Sequence, residues 1–202
     1  MKKSVIFVCS MVIIIITSII ALPSPSPAVM LQVDESGQLT GATGVDVGGV
    51  LYDVEFVEGT CIAAFDGCDE QSDFLNDLFD PFAASQALLD FVLLDTEAGD
   101  FDTMPDLTRG IENIMWGDIL TPEEAFAGPF NTVAGAVASN DTEEGYDFVN
   151  AFGGPNDMDT SNDDGKVWAR WRVHDVPEPG TLLLLASGLV GIGVIRRKLK
   201  VR

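Results

Sequence analysis

The chain has 202 residues, with eleven Lys and Arg against thirty-two Asp and Glu, a net charge of -21. That length allows one ordinary domain or two small ones, and so acidic a chain is not built to hold nucleic acid, whose phosphates need Lys and Arg. Three Cys are too few for a disulfide-dense scaffold, and Gly and Pro follow no triplet period, which excludes collagen.

The charge is unevenly spread. Lys2, Lys3, Arg196, Arg197, Lys198, Lys200 and Arg202 lie at the termini. Between residues 22 and 176 only Arg109, Lys166, Arg170 and Arg172 face thirty-one acids, a net -27. Self-repulsion on that scale favours solubility and opposes compactness. The mean hydropathy of +0.23 is high for so charged a protein, and the excess apolarity sits at the two ends.

At the N-terminus, Lys2 and Lys3 precede an apolar run from Val5 to Leu22, broken only by Ser10, Thr17 and Ser18, and Pro23 to Ala28 follows. A basic start, an apolar stretch and small residues read as a secretory signal peptide over residues 1–28. Ser26-Pro27-Ala28 places cleavage after Ala28, with Ala21 as the rival site. The run is long for a signal, so an uncleaved anchor helix is the alternative. Cys9 has no lipobox around it, so no lipoprotein is read.

Residues 29–175 form the exported acidic domain. Val45, Val47, Val50, Tyr52, Val54 and Phe56 share one strand face, with Leu51, Asp53, Glu55 and Val57 on the other. Gly48-Gly49 between them is a hairpin signal, and Leu39-Thr40 extends the first strand. Cys61 and Cys68 follow, with six residues between them. An exported chain meets an oxidising compartment, and removing Cys9 leaves one pair, so a Cys61–Cys68 disulfide is expected. The spacing suits neither a redox C-x-x-C nor a zinc pair.

Asp80-Pro81 is an N-cap and first-position proline. Ala84, Ala87, Leu88, Phe91, Val92 and Leu94 then predict a helix over Phe82–Leu94, ending near Gly99. Thr121-Pro122-Glu123-Glu124 repeats the start signal with a capping-box Glu, and Gly128-Pro129 would stop that second helix within two turns. Asp100 to Asp118 reads as loop with a short strand or turn near Ile111–Trp116, Phe130 to Ser139 as a small strand, and Asn156 to Gly165 as a polar loop. Thr142 to Phe152 is ambiguous. Lys166 to Val173 closes the domain as a strand, with Val167, Ala169, Trp171 and Val173 on one face and Lys166, Trp168, Arg170 and Arg172 on the other. Arg170 and Arg172 suit cross-strand pairs with acids such as Asp53 and Glu55. The sharper alternative is a carbohydrate platform of Trp168, Arg170 and Arg172. The expected fold is α+β, a small twisted antiparallel sheet with one main packed helix. An N-terminal signal helix and a C-terminal transmembrane helix flank it.

No catalytic constellation emerges. His174 is the only imidazole, in what reads as a flexible stem, and Ser-His-Asp or Cys-His chemistry needs one. Thirty-one acids make any glycosidase-like pair uninformative, leaving a secreted hydrolase of matrix sugars as the runner-up function. No cofactor or metal site is expected. Calcium is the ion these oxygens would suit, with Asp157 to Gly165 the densest candidate, but Asp164 stands where an EF-hand loop needs glycine. A calcium- or carbohydrate-binding module is thus a further alternative.

At the C-terminus, Val176-Pro177-Glu178-Pro179 precedes an uncharged, mostly apolar stretch, Leu182 to Ile195, and then Arg196-Arg197-Lys198 and the basic tail. Gly180 to Ile195 spans about 24 Å as a helix, short for a membrane core of about 30 Å, with Arg196 able to snorkel. Leu182, Leu185 and Ile195 supply apolar surface. Gly188 and Gly191 lie beside Ser187 on a small-residue stripe that suits close helix packing. The positive-inside rule keeps the tail cytoplasmic, so both ends begin at the inner membrane and the acidic middle is exported.

These C-terminal residues resemble the PEP-CTERM sorting signal, here residues 176–202. The resemblance implies recognition by an exosortase, a membrane transpeptidase-like enzyme using Cys, Arg and His. It also implies cutting near Pro177-Glu178-Pro179 and loss of the helix and tail. Passage through the Sec translocon follows, with delivery to the cell surface or an exopolysaccharide matrix and a non-enzymatic role in biofilm. The prolines hold the recognition segment extended, outside the helix. Gly48 to Val54, Gly59-Thr60-Cys61 and Val167 to Trp171 are similar to short exported PEP-CTERM proteins of unassigned function, which brings no activity.

Overall fold

The computed structural model describes residues 28–75, 80–126, 131–143 and 145–175. The signal segment up to residue 27, Gly128-Pro129 and the sorting segment from Val176 onward lie outside the described residues. No helix among the described residues is long and apolar enough to cross a membrane.

The domain is built mainly of strands. Seven form one sheet: β1 (Met30–Val33), β2 (Leu39–Val47), β3 (Val50–Val57), β6 (Trp116–Phe126), β7 (Thr132–Asp141), β8 (Phe148–Pro155) and β9 (Lys166–Val173). A separate two-stranded ribbon pairs β4 (Asp95–Thr96) with β5 (Gly99–Asp100). The spatial order of the large sheet is β1-β2-β3-β9-β6-β7-β8. The last strand is therefore inserted at the centre, antiparallel to β3 and parallel to β6. Among the described residues helices are few: α1 (Cys61–Ala64), α2 (Pro81–Phe91) and three short 3-10 turns.

This corrects the α+β expectation. The sheet is mixed rather than antiparallel, and it is much larger than the two segments the sequence suggested. The helix expected from Thr121 does not form, because Thr121-Pro122-Glu123-Glu124 lies inside β6. Proline is tolerated there for two local reasons. The β6–β7 register shifts between Pro122 and Glu124, and β9 pairs β6 only from Asp118 to Leu120, so the missing N–H removes no bond on that side. Opposite Pro122 stands Gly135. A Cβ on Gly135 would run into the Thr121 carbonyl and the Pro122 backbone, so the close approach requires glycine.

Three local readings hold. β2 and β3 meet across Gly48-Gly49, both at positive φ, 62° and 91°, as a two-residue turn matched to strand twist demands. β9 covers Lys166–Val173 as expected. α2 begins where Asp80 accepts N–H bonds from Phe82 and Ala83, at 2.9 and 3.1 Å, with Pro81 in the first turn. Its buried face, including Ala84, Ala87 and Leu88, packs on one side of the sheet.

The alternation of β9 shows that both faces of the sheet carry a core. Val167, Ala169 and Trp171 join the larger one with Leu39, Val45, Phe56, Leu88 and Ile119. Trp168 points to the other side, into a smaller core with Cys61, Phe65, Leu120, Val133 and Val137.

Candidate functional site

Four features bear on function: the smaller core, the carboxylates beside it, a groove on the same face, and the exit of the chain towards its C-terminus.

Cys61 and Cys68 form a disulfide. Thr60 caps α1 by accepting from the Ala63 N–H, and the bridge ties the first residue of this short helix to the loop after it. That loop docks on the polar segment before β9. The Cys61 N–H donates to the Met158 carbonyl at 3.2 Å, and Asn156 Nδ2 donates to the Cys68 carbonyl at 3.3 Å.

The bridged segment covers Trp168, whose side chain is 0 % exposed. Its indole N–H donates to the Gly59 carbonyl at 2.9 Å. Phe65 meets it edge-on at 5.9 Å between ring centroids, and Phe152 is tilted against it at 6.1 Å. A stacking platform needs an exposed ring, so the Trp168 platform is corrected: this ring is a core residue. Arg170 and Arg172 instead make the cross-strand pairs their positions suggest. Arg170 Nη2 lies 2.7 Å from Glu55 Oε2, and Arg172 Nε lies 3.3 Å from Asp53 Oδ2, matching the pairing of Glu55 with Arg170 and Asp53 with Arg172 in the sheet.

The acidic loop uses its carboxylates locally. Asp159 accepts from the Ser161 N–H and from Asn162 Nδ2. Asp163 pairs with Lys166, whose hydrogen bond is the main reason its carboxyl lies below the usual range. Among the described residues, no group of three or more His, Cys, Asp and Glu side chains is placed to hold a metal ion. Two carboxyls are pushed up. Burial raises Asp118, against the opposing bond from the Ser139 hydroxyl. Burial, then the neighbouring Glu124 and Asp80 charges, raise Glu123.

Neither of those acids lines an open groove of about 860 Å³ on the Arg170–Arg172 face. Gln32 of β1, Thr40 of β2, Glu55 of β3 and the two arginines of β9 line it from the sheet. The segment from Ala64 to Leu75 lines it from the side, including Asp66, Ser72, Asp73 and the Phe65 and Phe74 rings. Arg109 reaches it from the loop before β6, more than sixty residues from Arg172 in sequence. Sequence reasoning found Arg170 and Arg172 but not Arg109 or the groove, because a loop residue carries no periodicity to place it.

The chain leaves this sheet in an ordered way, which corrects the expected flexible stem at His174. The His174 N–H donates to the Leu51 carbonyl at 2.9 Å, extending the β3–β9 ladder by one bond. Its ring Nδ1 lies 2.6 Å from Asp53 Oδ1. Asp53 is buried and also accepts from the Gly44 N–H at 3.2 Å. Burial alone would raise its carboxyl, but bonds from His174, Gly44 and Arg172 outweigh that and hold it below the usual carboxylate value.

No curated protein matches the chain, and no solved structure does. Residues 175–198 match the PEP-CTERM protein-sorting motif, starting at the residue after His174. The motif implies export with a C-terminal, membrane-anchored sorting signal before processing. The chain therefore carries a PEP-CTERM sorting motif, which implies processing by an exosortase.

Proposed function

We propose that the mature domain is a non-enzymatic protein of the cell surface or exopolysaccharide matrix, with a part in biofilm. In this reading residues 1–28 direct the chain through the Sec translocon and are removed. The exosortase then cuts near Pro177-Glu178-Pro179 and discards the helix from Leu182 to Ile195 with its basic tail. The observation that carries the reading is the sorting motif at residues 175–198, directly following a folded, disulfide-linked acidic domain. A disulfide suits an oxidising compartment, and a strong negative charge keeps an exported domain soluble.

The test is the intact mass of the protein from native cells and from their medium, before and after reduction. The expected species starts near Val29, ends between Pro177 and Pro179, and gains two hydrogens on reduction. A protein that persists with its terminus at Arg202 would show a lasting anchor and overturn the reading.

A further inference from the structure

The groove holds nearly all of the positive charge available to the described domain. Arg109, Arg170 and Arg172 line it, and the described residues contain only one other Lys or Arg, Lys166, which is paired with Asp163. The acids show no such gathering: three of the thirty-one between residues 22 and 176, Glu55, Asp66 and Asp73, line the same space. Sheet pairing accounts for Arg170, which is held by Glu55 and also donates to the Ala64 carbonyl. It accounts for Arg172 only in part and for Arg109 not at all. Arg109 is exposed and makes no hydrogen bond or ion pair with another described side chain. Arg172 touches Asp53 through Nε alone, and its side chain is 72 % exposed. Each therefore presents guanidinium donors to the groove. A fork of parallel N–H groups is the geometry that grips a carboxylate with two bonds.

The remaining lining narrows the ligand. Gln32, Thr40 and Ser72 add neutral donors and acceptors. The three carboxylates accept from hydroxyl groups, and they would repel a ligand that brought negative charge alone. An acidic peptide brings carboxylates without a row of hydroxyls. A uronic acid chain brings both on every unit. The space, about 860 Å³, falls within the size of pockets that enclose small ligands, roughly 300–1,000 Å³.

We propose that this groove binds a carboxylated oligosaccharide. Arg109 and Arg172 hold its carboxylates, and Glu55, Asp66 and Asp73 accept from its hydroxyls. The proposal deepens the surface and matrix reading and rests on it for the ligand's availability, but its test does not depend on sorting. The full chain, oxidised and held in detergent, is titrated calorimetrically with oligogalacturonate, oligomannuronate and oligoglucuronate. A neutral glucose oligomer and polyglutamate serve as comparisons.

At least one of the uronates is expected to bind, more weakly as salt rises. The neutral oligomer and polyglutamate should bind at least tenfold more weakly than that uronate. Arg109→Gln and Arg172→Gln should each weaken uronate binding at least tenfold while the thermal midpoint moves little. Arg170 is left in place because it also supports the sheet. Four results would overturn the proposal: no binding by any uronate, binding indifferent to both substitutions, equal binding of the neutral oligomer, or polyglutamate binding as tightly as the best uronate. The last would make the groove a site for acidic peptides. If either single variant melts early, Arg172→Lys keeps the charge and removes the fork, and it should still lose most of the affinity.

Discussion

Replacing Trp168 with alanine should cost the domain about 3–5 kcal/mol, the range for removing a buried Trp or Phe from a core. The ring is fully buried, and its neighbours Phe65 and Phe152 would lose their contacts with it. Loss of the indole hydrogen bond leaves no buried acceptor unsatisfied. The Gly59 carbonyl also accepts from the Thr160 N–H at 3.0 Å and from its hydroxyl at 3.2 Å, so losing the indole does not orphan it. Trp168→Phe keeps most of the volume and loses only that one bond, and should therefore cost about 1 kcal/mol more than a conservative core swap. Urea unfolding followed by far-UV circular dichroism measures both. Against a typical domain stability of 5–15 kcal/mol, the alanine variant should show a midpoint sharply lower at unchanged slope. An alanine variant within about 1 kcal/mol of the parent would mean that the ring is not a core residue, and the case against a Trp168 platform would fail.

Reducing the Cys61–Cys68 bridge should remove about 2–3 kcal/mol, the chain-entropy value for so short a loop; an unchanged melting curve with and without reductant would refute a stabilising role. The carboxyl of Asp53 lies below its ordinary value of 3.8, so its contribution is present above that pH and is lost as pH falls further through the folded value. The stability gap between the parent and Asp53→Asn should therefore narrow in acid, and a gap that widens below pH 4 would contradict the sign. Gly135→Ala should destabilise by about 1–3 kcal/mol through forced overpacking against β6, read from the same urea curves; a neutral effect would mean that the strands are not so close at Pro122.

Elements whose signals are local were legible. Gly48-Gly49 between alternating valines specifies a hairpin within a dozen residues, and Asp80-Pro81 specifies a helix start within four. The disulfide followed from counting cysteines once export was inferred. β6 was not legible, because Thr121-Pro122-Glu123-Glu124 satisfies helix-start chemistry as well as any true N-terminus. What overrides it is a glycine thirteen residues downstream, which lets β7 approach. The parallel pairing of β6 with β9 joins segments nearly fifty residues apart and leaves no local trace. Alternation in β9 assigned Trp168 to the correct face, but alternation cannot say whether a face is covered. The cover comes from Phe65 and the bridged segment a hundred residues earlier. The groove escaped for the same reason, since Arg109 joins Arg172 only through the tertiary fold.

The pairing of Met30 with Thr43 and of Val173 with Tyr52 sends both ends of the domain out on the side of the Gly48-Gly49 turn. The bond from His174 to Leu51 keeps the second exit fastened until one residue before the sorting match. From His174 to Pro177 is three residues, about 10 Å of fully extended chain. A cut at Pro177, as proposed, would therefore fall within that reach of the folded sheet. With the cut near Pro177-Glu178-Pro179, as proposed, the β2–β3 turn would lie close to the catalyst, and the enzyme's cleft would have to clear a folded sheet as well as read a short peptide. Lengthening the chain after Asp175 would relax that constraint, and engineered cargoes fused to this signal would sort according to how much slack their own last strand leaves.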